Sequence, residues 1–192
     1  NIIISHGVFA MIVMALLLYS HISLEELGVT IQHLSIPYVI DGLFLGVGLA
    51  MLNEFASILI VKFEFDYQTE LRELLTPEST FGWILLIFVA LPVVAGFEEL
   101  LFRVALIGAV SGSLQISPWI MLLVSSILFG FAHMGQGNGG RFVATLLGIV
   151  LGMIYIVTNS FVVIMLGHYF VNSIEFVIHQ GLKSHFAEIF NL

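Results

Sequence analysis

The sequence predicts an all-α fold: a polytopic transmembrane bundle of about six spans, with an active site in an intramembrane cavity. Three observations predict it. Of 192 residues, 59% are hydrophobic and only 9% are charged, against about 25% charged in a soluble domain. Long apolar runs recur without alternation. The few ionisable groups inside those runs recur at helical spacing. Only helices and closed barrels satisfy the backbone in lipid, and unalternated runs exclude the barrel.

At about 20 apolar residues per crossing, the spans read as 2–19, 38–61, 81–110, 119–134, 142–157 and 161–180. The third is too long for one straight crossing. Pro92 is expected to kink it, because a proline inside a helix removes a hydrogen bond and crowds the preceding turn. The fourth and fifth are short, as suits helices around a cavity. Between the first two, SLEELGVTIQHLSIP offers a Ser cap and an acidic first turn, which predicts a short interfacial helix. Between the second and third, KFEFDYQTELRELLTPEST reads as amphipathic and surface-lying. The run GQGNGGR at 135–141 ends without GK[ST] and follows no strand, so it is no phosphate cradle; it reads as a flexible connection beside the site.

Basic residues support six crossings. Apart from Arg103 they are Lys62, Arg72, Arg141 and Lys183, and all four fall after even-numbered spans. The positive-inside rule makes that side cytoplasmic. There are no cysteines, which removes thiol catalysis, disulfides and thiolate metal sites together. The net charge of −8 comes mostly from loop carboxylates and gives no support for nucleic-acid binding. The chain reads as one membrane-embedded domain over 1–192, with a motif core at 81–180. It opens on Asn1, so an N-terminal piece, such as a further helix, is expected to be missing. Glycine pairs at Gly42/Gly46, Gly108/Gly112 and Gly148/Gly152 read as close helix packing.

The chain is organised around VAGFEELLFRVAL at 94–106. Each charge at the centre of a spanning helix costs roughly 2.5–3.5 kcal/mol, so Glu98, Glu99 and Arg103 must pair, face water or do chemistry. Glu99 and Arg103 are four apart and able to pair. Glu98 points about 100° away from Glu99, which leaves it the free carboxylate. Two further polar pairs lie at i,i+4 in apolar helices: Phe129 with His133, and His168 with Asn172. Glu175 and His179 continue the latter stripe and read as cavity lining or support for the site. Counted at 1.5 Å per residue from the two short turns at 111–118 and 158–160, Glu98, His133, His168 and Asn172 lie about 20, 22, 12 and 18 Å deep. They share a band about 10 Å tall in a slab about 30 Å thick, open toward the basic side. A carboxylate and an imidazole can deprotonate a water, while a second imidazole and an amide donate to an oxyanion. Asp41 and Glu54 also lie in a span but receive no role. His6, His21, His33 and His185 read as interfacial.

Glu98-Glu99-x-x-x-Arg103, Phe129-x-x-x-His133 and His168-x-x-x-Asn172, in that order on membrane helices, resemble the three motifs of the type II CAAX prenyl endopeptidase / ABI / CPBP family of glutamate intramembrane proteases. SLEELGV after the first span also resembles this family. The resemblance covers about half the chain. It implies that Glu98 and His133 activate the attacking water, that His168 and Asn172 form the oxyanion site, and that Glu99, Arg103 and Phe129 organise it. No cofactor or metal is expected, and the expected substrate is a membrane-associated protein or peptide within the lipid bilayer. The reaction would be CAAX-type processing, peptide maturation or removal of a C-terminal anchor. Absent cysteines and short loops suggest a prokaryotic cytoplasmic membrane. Two alternatives stand beside this reading. In one, the two histidines and Glu98 ligate a Zn²⁺ that activates the water; in the other, the chain is a non-catalytic immunity, scaffold or transport protein.

Overall fold

Every regular element among the described residues is helical, as a backbone in lipid requires. The computed structural model describes residues 2–66, 68 and 70–182; Lys183 and His185 fall outside the described residues. The helices are α1 (Ile2–Tyr19), α2 (Ile36–Lys62), the short α3 (Glu70–Leu75), α4 (Thr80–Leu114), α5 (Pro118–Ala132), α6 (Gly137–Thr158) and α7 (Phe161–Phe176), which runs on through a π-helical end (Val177–Leu182). Four of them, α2, α4, α6 and α7, are long and apolar enough to cross a membrane, and α1 and α5 are shorter apolar helices. Together they make the expected six. Their outward residues are large and apolar, for example Phe44, Met51, Phe55 and Phe88, as a lipid-facing surface should be.

Packing follows the small residues. Helices α2 and α7 run side by side in the same direction, with Gly42 against Leu166 and Gly46 against Phe170. Helices α5 and α6 form an antiparallel hairpin, in which Gly148 lies against Ser126 and Phe129, and Gly152 against Leu122. Leu49, Leu100, Val104, Leu122, Leu151 and Ile164 fill the space between these pairs. Helix α1 leans on α4 through Phe9 and the edge-on contact of His6 with Phe97.

The structure revises or refines four expectations. Helix α4 does contain an irregularity at Pro92, but it takes the form of a π turn over Leu86–Ala90, with Leu91 N–H bonded to Leu86 O. The wider turn accommodates a residue that has no N–H to give. A second π stretch covers Leu100–Val110, directly after the two glutamates. The segment after α1 is not an α-helix but a single capped turn followed by a short 3₁₀ helix at Ile31–Leu34. Ser23 and Glu26 do form the reciprocal cap, yet Gly28, at φ 72°, ends the turn at once. A Cβ there would strike the Asn159 carbonyl. That close approach docks the turn on the α6–α7 connection, where Tyr155 Oη donates to Leu27 O at 3.0 Å and Asn159 Nδ2 to Glu26 O at 3.0 Å.

The glycine run at 135–141 is likewise not a loose connection. Gly137 to Arg141 form the first turns of α6, so that helix has 22 residues and is not a short span. Small residues let another segment approach: Gly139 N–H donates to Asp66 O at 2.7 Å. Last, the amphipathic stretch before α4 lies at the surface, with Leu74 82% exposed, and among its described residues forms the six-residue α3; from there Arg72 reaches α7 and Gln68 N–H reaches Gln136 O.

Candidate active site

Glu98 and Glu99 sit on α4 with their side chains 15% and 0% exposed, so adjacent residues have different surroundings. Arg103 is fully buried and donates to Glu99 Oε1 at 2.9 Å and to Gly148 O at 3.2 Å. Its guanidinium lies 4.5 Å over the Phe129 ring, an arrangement that stabilises a desolvated cation. Glu99 Oε2 and Arg103 Nε have no hydrogen-bond partner among the described residues.

The imidazole of His168 stands between the two glutamates. Its Nδ1 lies 2.7 Å from Glu99 Oε1, and its Nε2 lies 3.4 Å from Glu98 Oε2. Sequence geometry pointed the two carboxylates in different directions. One ring spans that divergence, because its nitrogens point to opposite sides. Glu99 accepts from Arg103, so its oxygen is an acceptor and His168 Nδ1 carries the hydrogen. His168 Nε2 faces the Glu98 carboxylate on the other side of the ring.

His133 ends α5, and its Nδ1 lies 2.8 Å from the Phe129 carbonyl. A carbonyl only accepts, so Nδ1 carries the hydrogen and Nε2 of the neutral ring is left as an acceptor. The Phe129 ring, 2% exposed, touches His133 and His168 at centroid separations of 4.5 and 5.7 Å. It therefore sets the spacing of both imidazoles and of Arg103.

A cavity of about 200 Å³ opens over these groups. Glu98, His133, His168 and Asn172 all line it, from α4, α5 and α7, with Leu91, Val94 and Leu147 supplying apolar wall. A carboxylate, two imidazoles and an amide thus face one cavity. That set can hold a water, take its proton and donate to a carbonyl oxygen.

The polar end of the cavity holds residues that the sequence did not single out. Asn53 Nδ2 donates to Glu175 Oε1 at 2.5 Å, and Arg72 pairs with Glu175 Oε2 at 3.1 Å. Gln68 and Gln136 line the same end. Glu54 accepts from His179 at 2.5 Å. Glu54 announced itself as an acid in an apolar helix; Arg72, in a stretch that reads as surface-lying, gave no signal. Among the described residues, the donors that converge as three metal-ligand atoms are those of Glu54, Glu175 and His179, and not the Glu98, His133 and His168 set.

Residues 80–174 match the family model described as type II CAAX prenyl endopeptidase Rce1-like. This segment is Rce1-like. It contains all three motifs and every residue placed around the Glu98–His168 contact. The match points to a protease, and together with the apolar helices it supports an integral membrane protein. No curated protein and no solved structure is similar enough to the chain to match it. Within the Rce1-like segment the π turns of α4 flank the glutamates, a position where such turns recur at functional sites.

Proposed function

We propose that the chain is a glutamate-type intramembrane endopeptidase that cuts a membrane-associated protein or peptide, with CAAX-type processing as the first substrate class to test. The observation that carries this reading is the shared cavity of Glu98, His133, His168 and Asn172. Water held between Glu98 and the acceptor nitrogen of His133 attacks the scissile carbonyl. Its proton passes to Glu98, and the new C–O bond forms as the carbonyl π pair moves onto oxygen. His168 Nε2–H and the Asn172 amide donate to that oxyanion. When the tetrahedral centre collapses, the C–N bond breaks and Glu98 returns the proton to the departing amine. Glu99 holds the Nδ1–H of His168, fixing ring orientation and stabilising its cationic form as the buried acid of a triad does. Resting and reacting states then differ in one respect: the His168 Nε2–H that faces Glu98 turns to the substrate oxygen. The basic end of the bundle is cytoplasmic in this reading, so the substrate enters from that side. No metal is required by these steps, and the whole chain acts as one domain.

The test uses the purified chain in liposomes with a farnesylated CAAX reporter peptide and an unlipidated membrane-anchored peptide, followed by mass spectrometry. Wild type should release a C-terminal fragment from at least one. Glu98→Gln should release at least about 10²-fold less while remaining monodisperse and as heat-stable as wild type. Equal turnover by Glu98→Gln would overturn the proposal and favour a scaffold or transport role. Retention of activity after chelation argues against the zinc-ligand version of the same site.

A further inference from the structure

A second polar cluster lies two helical turns from the hydrolytic groups. His168 and Glu175 are seven residues apart on α7, roughly 10 Å along the axis. Around Glu175 three side chains from two helices converge. Glu54 Oε1 and His179 Nε2 are 2.5 Å apart, His179 Nε2 and Glu175 Oε2 are 3.7 Å apart, and all three donor atoms lie within 4.8 Å of one another. The burial is graded: Glu175 is 8% exposed, whereas Glu54 and His179 are 36% and 40% exposed. One wall is therefore dry and the other is open to an arriving ion.

We propose that Glu54, Glu175 and His179 form a site for one divalent transition-metal ion such as Zn²⁺, joining α2 to the end of α7 and separate from the peptide-cutting centre. Donor chemistry supports it. One imidazole with two carboxylates is a nitrogen–oxygen set of borderline softness, and three protein ligands leave a fourth position for water. Orientation supports it independently. Asn53 Nδ2 holds Glu175 Oε1 at 2.5 Å, which turns Oε2 toward His179; such supporting hydrogen bonds fix metal ligands in place. Charge supports it too. Arg72 offsets one of the two carboxylates at 3.1 Å, which leaves one negative charge in a membrane helix bundle. A cation there replaces the hydrogen between His179 and Glu54, with the imidazole nitrogen donating its lone pair to the ion. Glu175 shares its Oε2 between Arg72 and this site, so an ion also bears on the side chain that closes the polar end of the cavity. The inference does not depend on the proteolytic reading.

The experiment is Zn²⁺ titration of the full chain in detergent after chelator treatment, read by competition with a fluorescent chelator and by thermal unfolding. Wild type should take up one Zn²⁺ per chain, with a rise in Tm. Glu54→Gln and His179→Gln should each weaken uptake by at least ~10-fold and abolish the Tm rise. Glu98→Gln should bind as wild type does, which separates this site from the catalytic one. Co²⁺ added to wild type should give a visible ligand-field spectrum that His179→Gln lacks, a readout that does not rely on the Glu54 variant folding. No uptake by wild type, or uptake that survives both substitutions, overturns the proposal. Loss of uptake in Glu98→Gln overturns it as well, because the ion would then belong to the hydrolytic centre.

Discussion

His168 Nδ1 lies 2.7 Å from Glu99 Oε1, the same oxygen that Arg103 holds at 2.9 Å. One buried carboxylate atom therefore ties the third motif to the first. It also divides the two neighbouring acids by function: Glu99 is locked by two donors, and Glu98 is left facing the cavity. Glu99→Gln keeps the shape but removes the charge opposite Arg103, which is 0% exposed. Breaking a buried pair from one side costs about 3–5 kcal/mol. Glu99→Gln and Arg103→Met should both lower stability, whereas the double variant should recover part of the loss. Thermal unfolding in one detergent compares all three.

Glu98→Gln tests the other half of that division. Among the described residues its side chain has a close polar contact to His168 at 3.4 Å, and that contact can survive because the amide oxygen still accepts. Stability should change little. Activity should fall by about 10²–10⁴-fold, the range for a positioned general base. Combining it with His168→Gln should add little further loss, because residues that act as a unit are not additive. Single-turnover cleavage of the reporter peptides measures this.

These expectations rest on features that were legible in the sequence to different degrees. The i,i+4 spacing of Glu99 and Arg103, Phe129 and His133, and His168 and Asn172 is a property of one helix, so it could be read locally. Depth matching brought the three helices to one level because short turns fix their offsets. It could not say that a single imidazole bridges Glu98 and Glu99, which depends on how α7 is rotated against α4. The pair Arg72–Glu175 was invisible for a similar reason: nothing in ELRELL says that this short helix folds back onto α7. The glycines at 135–141 misled because they look like a flexible loop. They serve instead as small residues beneath Asp66, at Gly139 N–H to Asp66 O.

The Phe129 side chain links three polar groups without a polar atom in its ring. The ring meets Arg103 at 4.5 Å, His133 at 4.5 Å and His168 at 5.7 Å. Phe129→Ala opens a void beneath all of them and should cost about 3–5 kcal/mol. Phe129→Leu should retain most of the stability but lose activity, because a branched alkyl group fills space without offering a π face to Arg103. Stability and turnover of the two variants should therefore fall by different amounts, which separates filling from orientation.

The approach of α2 to α7 offers a test of the scaffold away from every polar group. A methyl placed on Gly46 would collide with Phe170 Cβ and come 3.0 Å from the Gly167 carbonyl, both on α7. Backbone cannot swing aside as a side-chain tip can, so the helices must separate. Gly46→Ala should lose about 1–3 kcal/mol, the cost of overpacking a filled interface. Gly48, two positions along the same helix, has nothing within 4 Å of an added Cβ. Gly48→Ala should show no loss and gain up to about 1 kcal/mol from helix propensity. Unfolding both variants under one condition compares the same chemical change on two faces of α2. Equal effects would mean that the Gly42/Gly46 face does not pack on α7, and the register that brings Glu54 and Asn53 beside His179 and Glu175 would fail with it.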